Sequence, residues 1–202
     1  MNAPLNLKEL EQKAFRSFYQ DGIWDIFFGL MMFAMYTFTF FDQIENKALR
    51  ILSMLFLEVF AMFFLIYGKK LITTPRLGEV KFAKHRTKRL GKIIVVNLIS
   101  LVVLATFAIL QNSHPELFEG TNSDIIRSVG MGVWIAFITS VMAYFLDFDR
   151  LYIYALIYGS TFAAVLLLDL PILFLVAALL MLIPGIIIFT RFMITTKPID
   201  GK

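Results

Sequence analysis

LLLDLPILFL, residues 166–175, decides the fold. Apolar sequence extends on both sides of it, so the stretch is either the middle of one helix of about forty residues or the turn between two membrane spans of about 20 residues each. An Asp followed two residues later by a Pro is a poor centre for a helix in hydrocarbon, because the charge is costly there and the Pro deletes a backbone donor. As a turn the same residues are favourable. Asp169 is read as capping the following helix and Pro171 as occupying its first turn, where backbone N–H groups have no intrahelical partner. The number of spans is then even, and both chain ends lie on one side.

Working outward from this turn, the sequence predicts an all-α polytopic membrane protein with six spans at 23–41, 48–68, 91–110, 128–146, 151–168 and 171–190. Residues 23–202 are read as a single six-helix domain, and 1–22 as a cytoplasmic amphipathic helix with the entry to the first span. The composition excludes a soluble globule: 59% of the 202 side chains are hydrophobic, against about 45–50% in ordinary domains. Mean hydropathy is +0.77. The absence of cysteine excludes a disulfide framework, a thiolate metal site and a Cys nucleophile. The polar start MNAPLNLKELEQK is not followed by a small-residue cleavage site, so the first span is expected to remain in the mature chain.

Basic residues set the expected direction. Sixteen Lys and Arg fall on the side of the termini, and only Lys47, Arg50 and Arg127 fall on the other. Both termini are therefore expected to face the cytoplasm. Residues 6–19, NLKELEQKAFRSFY, align Leu7, Leu10, Ala14 and Phe18 on one helical stripe, which suits a helix lying on the membrane surface.

Two segments leave the bilayer with related chemistry: KKLITTPRLGEVKF at 69–82 and RFMITTKPIDG at 191–201. One reading is a duplicated hairpin, spans one and two repeated as spans five and six, an organisation that occurs in transporters. The plainer reading is convergent exit chemistry, with Thr hydroxyls on the last free carbonyls and then Pro and Gly to stop the helix. The first copy continues into a basic run. Arg76, Lys81, Lys84, Arg86, Lys88 and Arg89 are the candidate contacts for anionic lipid headgroups or a partner. No recognition fold surrounds them, so nucleic acid is not expected.

Glu58 lies about ten residues from each end of the second span, where an ionised carboxylate is costly and a hydrogen-bonding partner on another helix is expected. Ser100, Thr139, Ser140, Ser160 and Thr161 fall at similar depths and complete a candidate ion or substrate layer. The alternative is that these hydroxyls bond their own helix backbones. Asp21 and Asp25 begin the first span, where capping and the helix dipole favour a carboxylate. Asn97 is read as a stitch between helices, Trp24 as part of the interfacial aromatic belt and Trp134 as a packing residue. Small residues recur every fourth position at Ser128, Gly132, Ala136 and Ser140, and at Ala155, Gly159 and Ala163. Such stripes suit either a close pair of spans four and five or a homodimer seam. Pro184–Gly185 should kink or open the sixth span.

Enzyme chemistry finds little support. The two histidines, His85 and His114, belong to opposite sides, and no HExxH, GxSxG or Gly-rich phosphate loop is present. No metal or cofactor is expected. A lipid-active enzyme using Asp21 or Asp25 as acid and Arg76 for phosphate stands as a third reading, behind ion or solute translocation through Glu58 and a non-catalytic sensor or assembly factor.

The pair DGIWDIFFGL at 21–30 and ITTPRLGEVKF at 72–82 resembles a loosely defined group of small prokaryotic integral membrane proteins of unassigned function. In that group an Asp-Gly, aromatic, Asp, Gly pattern opens the first span and Pro-Arg-x-Gly-x-Val follows the second. The resemblance covers about the first 90 residues. It implies a prokaryotic membrane location and carries over no activity.

Overall fold

A computed structural model describes residues 19–42, 47–77, 84–114 and 123–197. The interfacial helix expected over 6–19 lies outside them except for Tyr19, as does Lys81. Every regular element among the described residues is helical: α1 (Ile23–Asp42), α2 (Lys47–Gly68), a π-helical turn (Lys69–Thr73), α3 (Thr74–Leu77), α4 (Lys84–Ser113), α5 (Ser123–Leu146), α6 (Arg150–Leu168) and α7 (Ile172–Thr195). Six helical segments are long and apolar enough to cross a membrane. Their outward faces agree with that. Leu52, Phe56, Phe63, Ile94, Leu101, Leu156 and Ile187 are among many exposed large apolar side chains, a surface that a water-soluble monomer does not carry.

Where the sequence suggests one six-helix domain, the chain clusters into two units, α1, α2, the π-turn, α3 and α7 in one and α4–α6 in the other. The cause is the placement of small residues, which let backbones approach where lipid provides no hydrophobic drive between helices. In the first unit a Cβ built on Gly22 would stand 2.6 Å from the Gly185 carbonyl oxygen, and one on Gly29 would stand 2.6 Å from Leu182 Cγ. Helix α1 is thereby pressed along α7. In the second unit a Cβ on Gly132 would stand 2.4 Å from the Gly159 carbonyl oxygen, and one on Gly159 would stand 2.5 Å from that of Gly132. The small stripes of spans four and five thus meet each other within one chain.

Several boundaries differ from the sequence reading. Asp169 is the left-handed C-cap of α6, with φ 52°, and its N–H bonds the Val165 carbonyl. Pro171, with no capping side chain, holds the N-cap of α7. A single left-handed residue closes the preceding helix's free carbonyls, and that use prevails over capping the next. Asp147 takes the same conformation after α5. The second span does not end at Gly68 but continues through the π-turn to Leu77. Spans five and six fall in different units, whereas spans one and two share one. Helix α7 runs unbroken across Pro184. Gly185 is where α1 seats: a Cβ there would lie 2.9 Å from Ile26 N and 3.0 Å from Asp25 Cβ.

Candidate functional site

The most constructed polar site is in the first unit, where the start of α1 meets the end of α2. The sequence Asp21-Gly22 opens α1. Asp21 Oδ1 accepts the Ile23 N–H at 3.2 Å, the capping role expected of an Asp at a helix start. Gly22 adopts φ +82°, a left-handed conformation that L side chains rarely adopt, and its bare Cα lies against the α7 backbone. This close approach sinks Asp21 into the protein, and both Asp21 and Asp25 are wholly buried.

A carboxylate in that position requires partners. The π-turn supplies them. Lys69 Nζ donates to Asp21 Oδ1 at 2.8 Å and to Oδ2 at 2.7 Å, and the Thr73 hydroxyl donates to Oδ2. Lys69 and Thr73 are themselves buried. Tyr19 lies below the ammonium, its ring centroid 6.0 Å from Nζ, and packs on Trp24 at 5.7 Å. The Trp24 indole N–H is buried without an acceptor among the described residues, so Trp24 packs here as an apolar ring.

The turn itself is wider than an α-helix. The Thr74 N–H and hydroxyl both reach the Lys69 carbonyl, five residues back. At the echo, the Thr196 N–H and hydroxyl both reach the Phe192 carbonyl, four residues back. The two ITT segments meet at the same end of the unit, where Arg76 Nε donates to the Thr196 carbonyl at 3.1 Å while a terminal nitrogen returns to Ile72 O at 3.2 Å. Arg76, a candidate for phosphate, is thus engaged in tying two helix exits together. Lys84, Arg86, Lys88 and Arg89 occupy the first turns of α4, where the backbone is described and the side chains are not.

The candidate layer around Glu58 is divided between the units. Glu58 is half-buried on α2, and Ser100, Thr139, Ser140, Ser160 and Thr161 are all in the second unit. Ser100 accepts the Trp134 indole N–H at 3.1 Å. Thr139 and Ser160 bond backbone carbonyls of their own helices, at Ile135 and at Leu156. Asn97 does likewise with Ile93, its amide N–H serving its own helix. Ser140 is half-buried and Thr161 buried. Within α2, however, Glu58 precedes Ala61, Leu65 and Gly68, the buried residues of that helix, at helical spacing. Eleven residues separate it from Lys69, about 16 Å at 1.5 Å per residue, and three turns bring both to nearly the same face.

From sequence alone Asp21 reads as a cap and Lys69 as part of the positive-inside excess, two separate roles. The available signal was positional: an acid at the start of one span and a base at the end of the next lie at the same depth on the same side. Comparison of the chain with protein-family models, with curated proteins and with solved structures finds no match.

Proposed function

We propose that this is a prokaryotic cytoplasmic-membrane protein with both termini inside, which translocates a proton or small cation through its first unit. The observation that carries this reading is the buried Asp21–Lys69 pair, whose Lys69 opens the π-turn that continues α2, on nearly the same face as the mid-span Glu58. Ionisable groups within membrane helices are rare and recur along ion and proton paths, and π-turns recur at functional sites. Glu58 is the mid-membrane carboxylate of this path, and the Asp21–Lys69 pair is its inner station. The excess of Lys and Arg at the termini supports the direction.

The test is flux into liposomes containing the wild-type protein, Glu58→Gln, or the charge-free pair Asp21→Asn/Lys69→Met, followed with pH- and cation-sensitive dyes. Wild type should conduct, and both variants should lose at least about ten-fold, the effect of about 1.4 kcal/mol on a barrier. Equal flux from all three, or none from any across a broad screen of cations and pH, overturns the proposal.

A second reading is a non-catalytic sensor or assembly factor. It is favoured by the length of α4, whose 30 residues exceed the roughly 20 needed to span. The helix thus extends past its apolar run to carry Lys84, Arg86, Lys88 and Arg89. Neutralising these four should abolish recovery of anionic vesicles in flotation, and unchanged recovery counts against this reading.

A further inference from the structure

Within the second unit, α4 and α5 enclose an apolar groove of about 310 Å³ that neither functional reading uses. Val103, Leu104 and Phe107 form one wall, and Ile126, Met131 and Trp134 form the other. Arg127 contributes the cation of the lining, in the second turn of α5. Trp134 closes the far part of the groove, held by its bond to Ser100. From Arg127 to Trp134 is seven residues, about 10 Å along the helix. The groove thus begins at a guanidinium near a helix end and descends along side chains with no charge.

Two details describe the occupant. Arg127 is one-third exposed, and its Nε donates to the Ser123 carbonyl at 3.3 Å while one terminal nitrogen contacts the Asp124 carboxylate. Asp124 is 81% exposed, so this pairing is a weak surface one. Arg has five N–H donors, and the remainder suit a second anion, with phosphate oxygens matching the guanidinium fork. The second detail is Gly130, on the groove wall between Arg127 and Trp134. A Cβ added there would meet nothing within 4 Å, so this glycine is not required by helix packing and leaves the groove wide.

We infer that the groove is a binding site for one anionic glycerophospholipid, its phosphate on Arg127 and the upper part of one acyl chain along Gly130 to Trp134. Charge complementarity at the mouth and an apolar channel of matching direction together select an anionic amphiphile over a zwitterionic one. The site concerns lipid held between α4 and α5, and it stands whether or not the protein conducts.

The protein has two tryptophans, so Trp24→Phe leaves Trp134 as the sole reporter. In vesicles, brominated acyl chains quench a tryptophan they touch. Trp134 should be quenched by brominated phosphatidylglycerol as though that lipid were about five-fold enriched over its bulk fraction, the partition expected of one basic contact. Brominated phosphatidylcholine should show no enrichment. Arg127→Gln should remove the preference. Gly130→Leu, which fills the groove without meeting backbone, should lower quenching by both lipids, with circular dichroism confirming that each variant stays folded. Equal quenching by the two lipids, or a preference that survives both substitutions, overturns the inference. So does loss of the preference on adding inorganic phosphate, which would make the site one for a free anion.

Discussion

Replacing Lys69 with Met tests the buried pair most directly. The Asp21 carboxylate accepts four bonds: two from Lys69 Nζ, one from the Thr73 hydroxyl and one from the Ile23 N–H. Met keeps most of the volume of the Lys stem and removes two of the four bonds together with the charge. Side-chain exposure is 10% for Lys69 and zero for Asp21, so solvent cannot replace what is lost. Breaking a buried pair from one side costs about 3–5 kcal/mol, because the other charge stays buried without its counter-ion. The double variant Asp21→Asn/Lys69→Met buries no charge at this position, and the amide can still accept from Ile23 and Thr73. It should regain at least about 2 kcal/mol over Lys69→Met, the non-additivity that marks a coupled pair. Equilibrium unfolding in mixed micelles over a range of dodecyl sulfate fractions measures all four corners of this cycle. A Lys69→Met protein within about 1 kcal/mol of wild type, or single effects that simply add, would refute a coupled buried ion pair.

Other perturbations bear on the packing. Gly22→Ala combines a left-handed backbone with a Cβ 2.6 Å from Phe189 N, and should cost at least about 2 kcal/mol in the same unfolding assay. Gly132→Ala places a Cβ 2.4 Å from the Gly159 carbonyl oxygen and should cost about 1–3 kcal/mol. Gly130→Ala, one half-turn away and facing open space, should be neutral or stabilising by up to about 1 kcal/mol, so equal losses at 130 and 132 would contradict the α5–α6 contact. Asp169→Gly relieves a left-handed residue at φ 52° and should raise stability by up to about 1 kcal/mol, with no gain counting against strain there.

The span count was legible because one turn, around Asp169 and Pro171, separates two apolar runs that length alone could not. The α5–α6 pair was legible too, since small residues every fourth position leave a visible stripe. Which helices would share a unit was not, because α1 meets α7 through only two glycines on one side, Gly22 and Gly29, and Gly185 on the other, which is distant in the chain, too few to mark the pair. Glu58 stands out in the sequence by its type and depth, whereas Asp21 reads as an ordinary cap. Its burial follows from the Gly22 contact with α7, a tertiary fact with no local signature.

The two ITT exits carry this distinction to a single residue of register. Thr74 bonds five residues back and Thr196 four, although each ends the same tripeptide. Asp21 could hold Lys69 in either register, because a four-carbon stem adapts. The difference lies in Pro75, which follows Thr74 directly, whereas Lys197 separates Pro198 from Thr196. A Pro at 75 lacks an N–H and clashes with the carbonyl four residues earlier, at Leu71, and a widened turn relieves both conflicts. The register that Pro75 imposes brings Thr73, on its short side chain, to the carboxylate. Pro75→Ala should therefore return Lys69–Thr74 to α-helical bonding, move the Thr74 N–H from the Lys69 carbonyl to that of Lys70, and release the Thr73 hydroxyl from Asp21. Infrared spectra with a ¹³C label on the Lys69 or the Lys70 carbonyl report which one accepts. If Lys69 remains the acceptor in Pro75→Ala, the proline does not set the turn and the carboxylate does.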